Sequence, residues 1–287
     1  MKLIRFGEKN QEKPGIQTSE GLNLDCSSFG EDWNEAFFEK DGLNRLADWL
    51  KAHQSQLPEI PANSRIGSPI ARPSKIICIG LNYRKHAEEA GMAVPEVPII
   101  FMKATSSLCG PFDPIFIPKN SVKTDWEVEL AVVIGKRAKY VKKENAFEYI
   151  AGYCLHNDVS ERDFQLHHGG QWVKGKSADH FAPLGPVLVT QDEIKDPHNL
   201  RLWLKLNGKM LQDSNTSDLI FDIPTLIEHL SQYMTLLPGD VISTGTPAGV
   251  GMGLKPEPQY LVNGDTVELG IEGLGDSRQI AINDPES

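Results

Sequence analysis

The acidic residues of one strand-like segment are the first candidates for chemistry. In KTDWEVELAVVIG, side chains two apart share a face of a strand, so Asp125, Glu127 and Glu129 lie together opposite a uniformly apolar face. Their own face continues with Ala131 and Val133, which places the carboxylates beside a core. Burying an unpaired carboxylate is prohibitive, so we expect these groups to have partners, either basic side chains or a divalent metal ion.

A third carboxylate, Asp158, ends the predicted strand GYCLHND. Together with Glu127 and Glu129 it offers the oxygen ligands that Mg²⁺, Mn²⁺ and Ca²⁺ prefer. Three acids would leave coordination positions open for water and a chelating substrate. Taken alone, the spacing also fits a solvated pair of glutamates, or pairing with Lys123 or Arg137.

A histidine and a glutamate in NYRKHAEEAGM form the second candidate group. His86 and Glu89 are three residues apart on a predicted short helix, which puts them on one face. A carboxylate beside an imidazole raises its basicity and fixes its orientation, as activation of a water molecule requires. An ordinary surface pair has the same spacing.

Further polar residues follow in three segments. DVSERDFQ contains Arg162 and Gln165, and WVKGKSADHF contains Lys176 in a glycine- and serine-rich context. STGTPAGVGMG ends a predicted strand at Gly245 and Thr246 and continues as a glycine-rich loop. Backbone N–H groups of such a loop can bind a carboxylate, although a flexible turn has the same composition.

Composition limits the class of protein. The chain has 287 residues, of which 40% are hydrophobic and 24% charged, and its net charge is −10. This charge argues against nucleic acid and anionic membranes as partners, but a lysine or a metal ion can still attract a small anion into one pocket. The four cysteines are widely spaced, and the N-terminus lacks the apolar stretch of a signal peptide. We therefore expect reduced thiols and a cytoplasmic location.

Two domains are predicted. Residues 1–70 contain the strand KLIRF, a hairpin-like continuation, the helix DGLNRLADWLKAH and a proline-rich linker, which indicate a small α+β domain. Residues 71–287 contain many strands and few short helices, which predicts a β-rich mixed α/β fold. Within it, Asn207 and Gly208 separate two alternating segments and predict a hairpin turn.

Six motifs, in this order, resemble the fumarylacetoacetate hydrolase superfamily between Pro73 and Ile282. They are GLNYRKHAEEAG, DWEVELAVVIGK, GYCLHNDVSERDFQ, KGKSADHFAPLGP, LWLKLNGK and STGTPAGVG. The resemblance implies a β-roll catalytic domain preceded by a small N-terminal domain, and usually a homodimer.

The resemblance also implies roles for particular residues. Metal ligands are implied at Glu127, Glu129 and Asp158, a catalytic dyad on a lid helix at His86 and Glu89, an active-site lysine at Lys176, and substrate binding at Arg162, Gln165, Gly245 and Thr246. Members that cleave fumarylacetoacetate carry a further aspartate ligand before the catalytic histidine. The stretch from Cys78 to Tyr83 has no acid, which favours the three-carboxylate branch that handles acylpyruvates, 2,4-diketo acids and oxaloacetate.

The predicted function is therefore metal-dependent hydrolysis of a C–C bond in acylpyruvate-type 2,4-diketo acids, such as 2,4-diketo-3-deoxy sugar acids, through a metal-chelated pyruvate enolate. Mg²⁺ is the expected ion, with Mn²⁺ or Ca²⁺ as alternatives. Other activities remain open: oxaloacetate decarboxylation or tautomerisation, isomerisation of the 2-hydroxyhepta-2,4-diene-1,7-dioate type, and ureidoglycolate cleavage. A metal-dependent keto-acid binding protein without catalytic activity is the remaining alternative.

Overall fold

Strands make up a larger part of the chain than helices, 32% against 24%, in a computed structural model that describes residues 1–287. The strands are β1 Lys2–Phe6, β2 Lys13–Gln17, β3 Asn23–Asp25, β4 Ile66–Gly67, β5 Ile76–Gly80, β6 Ile99–Lys103, β7 Leu108–Cys109, β8 Ile115–Ile117, β9 Thr124–Asp125, β10 Val128–Ile134, β11 Ile150–Asn157, β12 Ser160–Glu161, β13 Ala182–Pro183, β14 Leu188–Thr190, β15 Arg201–Leu206, β16 Lys209–Asn215, β17 Val241–Ser243, β18 Thr266–Ile271 and β19 Gly275–Asn283. The helices are α1 Glu35–Glu39, α2 Gly42–His53, α3 Arg84–Glu89, α4 Arg162–Leu166, α5 Val173–Lys176 and α6 Ile223–Tyr233. The predicted β-rich mixed fold is confirmed.

The large sheet has the order β3-β2-β1-β14-β11-β10-β17-β5-β6, with β4 paired to β1. The N-terminal strands belong to this sheet because β1 pairs with β14 in antiparallel register. The first 25 residues therefore extend the sheet that carries the candidate site, and the domain boundary at residue 70 stays a prediction. No helix of the structure combines the length and apolar character that crossing a membrane requires.

A second sheet, in the order β16-β15-β18-β19-β8, shares an apolar cluster with β10 of the first sheet. Its β15–β16 hairpin turns at Asn207 and Gly208, whose φ angles of 50° and 80° fit a two-residue hairpin turn. The predicted turn is confirmed, and Leu202, Leu204 and Leu206 are buried as the alternation indicated.

Strand β10 lies between two layers of the core, and every residue in it is buried. Leu130 and Val132 on one face belong to the larger apolar cluster, which includes Leu204 of the second sheet. Ala131 and Val133 on the other face belong to a separate cluster with the aromatic residues of the N-terminal segment, among them Trp33, Phe37 and Phe38. Polar side chains at the start of this strand are therefore held between two packed layers.

The acidic segment is not one unbroken strand, and in this detail the prediction was wrong. Asp125 ends β9, which pairs with β12, while β10 begins at Val128 in the large sheet. The Asp125 carboxylate accepts the Trp126 N–H at 2.8 Å, and the Glu127 N–H donates to the Asn157 side chain at 3.1 Å. These side-chain bonds interrupt the strand ladder between Asp125 and Val128.

All four cysteines, Cys26, Cys78, Cys109 and Cys154, are buried and unpaired. The expectation of free thiols is confirmed. They contribute to packing and not to cross-linking.

Candidate metal centre and active site

Three buried carboxylates meet at the start of β10. Glu127 precedes this strand, Glu129 is within it, and Asp158 follows the neighbouring strand β11. One ligand oxygen from each lies within 4.8 Å of the others. A backbone hydrogen bond from Asp158 N to Glu127 O, at 2.9 Å, fixes the two segments together. The structure thus brings together the three acids that the sequence predicted as ligands.

Two basic residues are bonded to this cluster. Lys176 Nζ donates to Glu127 Oε2 at 2.7 Å and to Asp158 Oδ2 at 2.9 Å. Burial disfavours the charge of Lys176, but the two carboxylates outweigh this effect and raise its pKa to about 12. Arg162 Nη2 lies 2.7 Å from Glu127 Oε1 as an ion pair without the alignment of a hydrogen bond. Lys123, which the sequence left open as a partner of these glutamates, instead pairs with Asp163 at 3.1 Å.

Lys103 is a further basic partner that the sequence reasoning missed. Its Nζ lies 2.5 Å from Asp158 Oδ1 and donates to Val159 O at 2.9 Å, and its side chain has no exposed surface. Burial lowers the pKa of Lys103, against the opposing effect of the Asp158 charge. Its only signal in the sequence is its place at the end of the apolar run PIIFMK, and it reaches the cluster because β6 lies in the large sheet.

Glu129 has hydrogen-bond donors but no basic partner. Ser243 Oγ donates to its Oε2 at 2.5 Å, and Gly245 N donates to the same oxygen at 2.9 Å. Burial, followed by the nearby charges of Asp158 and Glu127, raises the pKa of Glu129 well above its usual range. Gly245 was predicted to bind substrate, but in the structure its N–H already donates to Glu129.

A buried histidine supports Glu129 through the serine. His156 Nδ1 lies 2.6 Å from Ser243 Oγ. Because that hydroxyl donates to Glu129, Nδ1 must carry the hydrogen and donate to the serine. Burial lowers the pKa of His156 to about 3, so its ring is neutral. Such a chain fixes the orientation of a ligand carboxylate, and neither His156 nor Ser243 was predicted from the sequence.

Helix α3 carries the predicted dyad. His86 Nδ1 lies 3.1 Å from Glu89 Oε2, and Glu89 Oε1 accepts the Gly249 N–H at 2.9 Å. A Cβ atom on Gly253 would lie 2.5 Å from Glu89 Cδ, so any larger residue there would displace this side chain from its place on the loop. The helix is therefore held against the glycine-rich loop by the same carboxylate that orients the histidine.

Glu127, Glu129 and the dyad face one cavity of about 340 Å³. Eight predicted site residues line it: His86, Glu89, Glu127, Glu129, Arg162, Gln165, Lys176 and Thr246. Asp158 lies outside the lining, and its Oδ2 is bonded to Lys176. The remaining wall is largely apolar and includes Phe101 and Trp172, whose rings meet edge to face at 5.3 Å. The cavity is therefore lined by both charged and apolar side chains.

Three further residues predicted to bind substrate, Arg162, Gln165 and Thr246, are already bonded within the protein. Arg162 Nε donates to Asp125 Oδ2 at 2.8 Å, and its Nη1 donates to Gln165 Oε1 at 3.2 Å. Thr246 Oγ1 donates to Val128 O at 3.0 Å. Their side chains line the cavity, and these bonds position them there.

The Lys-Gly-Lys sequence allows close packing beside the site. A Cβ atom on Gly175 would lie 2.3 Å from Glu161 O and 2.6 Å from Gln165 Cβ. Only glycine lets α5 approach α4 this closely. Because α5 lies this close to α4, its last residue, Lys176, reaches Glu127 and Asp158.

The donors of the centre fit a hard divalent cation. All three candidate ligand side chains offer oxygen only, as Mg²⁺, Mn²⁺ and Ca²⁺ prefer. Glu129 is bonded to Ser243 and Gly245 and has no lysine or arginine partner, so one of the three candidate ligands is not already neutralised by a basic side chain. The residues present therefore fit a bound divalent ion.

This fold and site define a member of the fumarylacetoacetate hydrolase family. The sequence model of the family described as Fumarylacetoacetate (FAA) hydrolase C-terminal matches residues 75–280, and the chain belongs to that family. A curated relative from Burkholderia multivorans, named as a hydrolase without a stated substrate, is 52% identical over 280 residues, covering 98% of each chain.

Solved structures of similar proteins include hydrolases and an isomerase. The fumarylacetoacetate hydrolase of Exiguobacterium antarcticum is 34% identical, with a TM-score of 0.85 over 99% of this chain and 100% of that one. The maleylpyruvate hydrolase of Sphingobium, in complex with manganese(II) and pyruvate, is 29% identical, with a TM-score of 0.82 over 99% of both chains. The 2-hydroxyhepta-2,4-diene-1,7-dioate isomerase of Mycobacterium marinum is 32% identical, with a TM-score of 0.77 over 99% of both chains.

Proposed function

We propose that this protein is a divalent-metal-dependent hydrolase that cleaves a C–C bond in acylpyruvate-type 2,4-diketo acids. The observation that carries the proposal is the shared cavity, in which a cluster of buried carboxylates stands beside the His86–Glu89 dyad. A keto-acid binding protein would need the carboxylates but not the dyad.

Glu127, Glu129 and Asp158 would hold the ion, and Mg²⁺ is the expected one. The maleylpyruvate hydrolase similar to this chain was crystallised with manganese(II), which supports Mn²⁺ as a substitute. When bound, the ion supplies Lewis-acid polarisation of the keto-acid oxygens and stabilises negative charge that develops there.

The dyad supplies the base. Glu89 as a carboxylate can only accept, so His86 Nδ1 carries the hydrogen between them and leaves Nε2 free to take a proton. His86 lines the cavity, so its Nε2 can take a proton from a water molecule that lies beside the distal carbonyl of a bound diketo acid.

The proposed reaction then forms a C–O bond, breaks a C–C bond and forms a C–H bond. The hydroxide oxygen bonds to the C4 carbonyl carbon, and the C3–C4 bond breaks with its electron pair passing to the three-carbon fragment as pyruvate enolate. Lys176 uses two of its three N–H groups on carboxylates, which leaves one to donate to the enolate oxygen. The proton held by His86 returns to C3, so the products are pyruvate and a carboxylic acid.

Isomerisation is the second candidate, because a dioate isomerase is among the similar structures. The same residues would move a proton on the substrate without attack by water. We favour hydrolysis because the His86–Glu89 pair suits activation of water.

The test is a turnover assay on acetylpyruvate and oxaloacetate, with added Mg²⁺ or Mn²⁺ and after EDTA treatment. Release of acetate and pyruvate from acetylpyruvate that depends on metal supports the proposal. Loss of CO₂ from oxaloacetate with no cleavage of acetylpyruvate would favour the decarboxylase alternative. Binding of both acids with turnover of neither would leave a keto-acid binding protein.

A further inference from the structure

Asp125 is the acid of the opening segment that the metal centre does not use. Its carboxylate is fully buried and accepts four hydrogen bonds. Oδ1 accepts the N–H groups of Trp126 at 2.8 Å and Gly251 at 2.7 Å. Oδ2 accepts Met252 N–H at 3.0 Å and Arg162 Nε at 2.8 Å. One side chain thus joins the glycine-rich loop to an arginine of the cavity wall.

Each end of this connection reaches a different part of the proposed machinery. On one side, Arg162 Nη2 lies 2.7 Å from Glu127 Oε1 in the metal centre. On the other side, the loop donates Gly249 N–H to Glu89 Oε1 at 2.9 Å, and Glu89 Oε2 lies 3.1 Å from His86 Nδ1. Every link is a hydrogen bond or an ion pair among part-buried or buried groups.

The loop is shaped to fit this carboxylate. A Cβ atom on Gly251 would lie 2.0 Å from Gln259 O and 2.7 Å from Asp125 Oδ1, so only glycine brings its N–H close enough. The Trp126 indole also donates to Gly249 O at 3.1 Å, which holds the start of the loop. Hydrogen bonds to a buried charged group are among the strong ones, so the loop conformation depends on Asp125.

We propose that Asp125 is a positioning residue that couples the glycine-rich loop, and through it the dyad helix α3, to the metal-facing carboxylate of Glu127. The inference rests on the proposed function, since it assigns Glu127 to a metal and His86 to the chemistry. It adds Asp125, which contacts neither the proposed metal nor His86. It predicts that a change at Arg162 alters the dyad helix and that a change in the loop alters the metal centre.

The matched variants are Asp125→Asn and Asp113→Asn. Asparagine at 125 keeps an acceptor for the loop but loses the negative charge that Arg162 and the loop amides share. Asp113 is a fair control, because its carboxylate also binds an arginine, Arg65, and a backbone N–H, that of Gly110, outside the cavity. Arg162→Lys is the second variant, since a lysine keeps the charge but cannot contact Asp125 and Glu127 together.

The measurements are amide hydrogen exchange at residues 84–89 and at Gly249, and the Mn²⁺ dissociation constant by calorimetry. For D125N we expect exchange in α3 to accelerate and the Mn²⁺ dissociation constant to rise, each by about tenfold or more, as when an outer partner of a metal ligand is removed. R162K should accelerate exchange in α3 as well, although Arg162 does not touch the loop. D113N should match the wild type in both measurements.

Two outcomes overturn the proposal. One is a D125N protein whose α3 exchange or Mn²⁺ affinity equals that of D113N. The other, which decides the matter if D125N does not fold, is an R162K protein with unchanged exchange in α3. Neither measurement uses a substrate, so failure to cleave any diketo acid would contradict the proposed function alone, while these outcomes would contradict the coupling alone.

Discussion

Replacing Lys176 by methionine should destabilise the metal-free protein and strengthen its binding of divalent metal. Lys176 is 2% exposed and donates to both Glu127 and Asp158. Methionine fills similar space without charge, so the two buried carboxylates lose a shared partner. Removing one member of a buried ion pair typically costs about 3–5 kcal/mol in the free energy of unfolding.

The size of both effects follows from this geometry. At about 2.1 cal/mol/K of unfolding entropy per residue, a loss of about 4 kcal/mol lowers the melting temperature of a 287-residue chain by roughly 7 °C. A lysine about 4 Å from a bound cation would repel it by about 4 kcal/mol or more at an effective dielectric constant near 20. Even if relaxation removes much of this repulsion, K176M should bind Mn²⁺ at least about tenfold more tightly, which corresponds to about 1.4 kcal/mol.

The assays are thermal melts with and without Mn²⁺, calorimetric titration with Mn²⁺, and acetylpyruvate turnover. Metal should raise the melting temperature of K176M more than that of the wild type, while turnover falls by about 100-fold or more because the enolate loses a donor. Lys123→Met is the control, since Lys123 pairs with Asp163 on the exposed surface. A K176M protein that melts with the wild type and binds Mn²⁺ no more tightly would refute the reasoning.

Three further predictions concern the dyad, the loop and acid stability. His86→Ala should lower kcat by about 100-fold or more with Mn²⁺ affinity unchanged, and undiminished turnover would exclude the dyad. Gly253→Ala should lower kcat by about 10- to 100-fold, because its Cβ would lie 2.5 Å from Glu89 Cδ and displace that side chain; an unchanged kcat would contradict this packing. Burial alone would raise the pKa of Asp113, but Arg65 and the Gly110 N–H hold it below its usual range. Its contribution to stability is therefore present above a pH of about 4 and is lost as the pH falls through the folded pKa, so urea titrations of D113N and the wild type should converge at low pH and differ at neutral pH.

The parts of the site that local spacing determines could be predicted from the sequence. Glu127 and Glu129 are two apart on extended backbone, and His86 and Glu89 are three apart on a helix, so each pair had to share a face. Asp158 was predicted as a third ligand, and the resemblance to a known family supported this prediction. The family comparison confirms that the chain belongs to that family.

The parts that depend on strand order could not be predicted in this way. Lys103 and Ser243 reach the carboxylates because β6 and β17 lie in the sheet that contains β10, with β17 directly beside it. His156 reaches Ser243 because its strand pairs with the opposite edge of β10. No local pattern carries this information.

For Gly245 and Asp125 too, the sequence did not reveal which group each residue contacts. The sequence predicted that Gly245 takes part in substrate binding, whereas in the structure its N–H donates to the carboxylate of Glu129. Asp125 shares the alternation of the two glutamates, yet the strand breaks after it and its side chain turns to the loop. The segment that packs against a polar group determines whether that group binds a ligand or another part of the protein.

The central claim is that Glu127, Glu129 and Asp158 bind one divalent ion. A crystal grown with Mn²⁺ and measured for anomalous scattering tests this claim most directly. We predict one strong peak, with an oxygen of each of the three side chains within about 2.0–2.6 Å, the range found for hard divalent cations. A peak elsewhere, or no peak at a Mn²⁺ concentration that saturates any measured turnover, would contradict it.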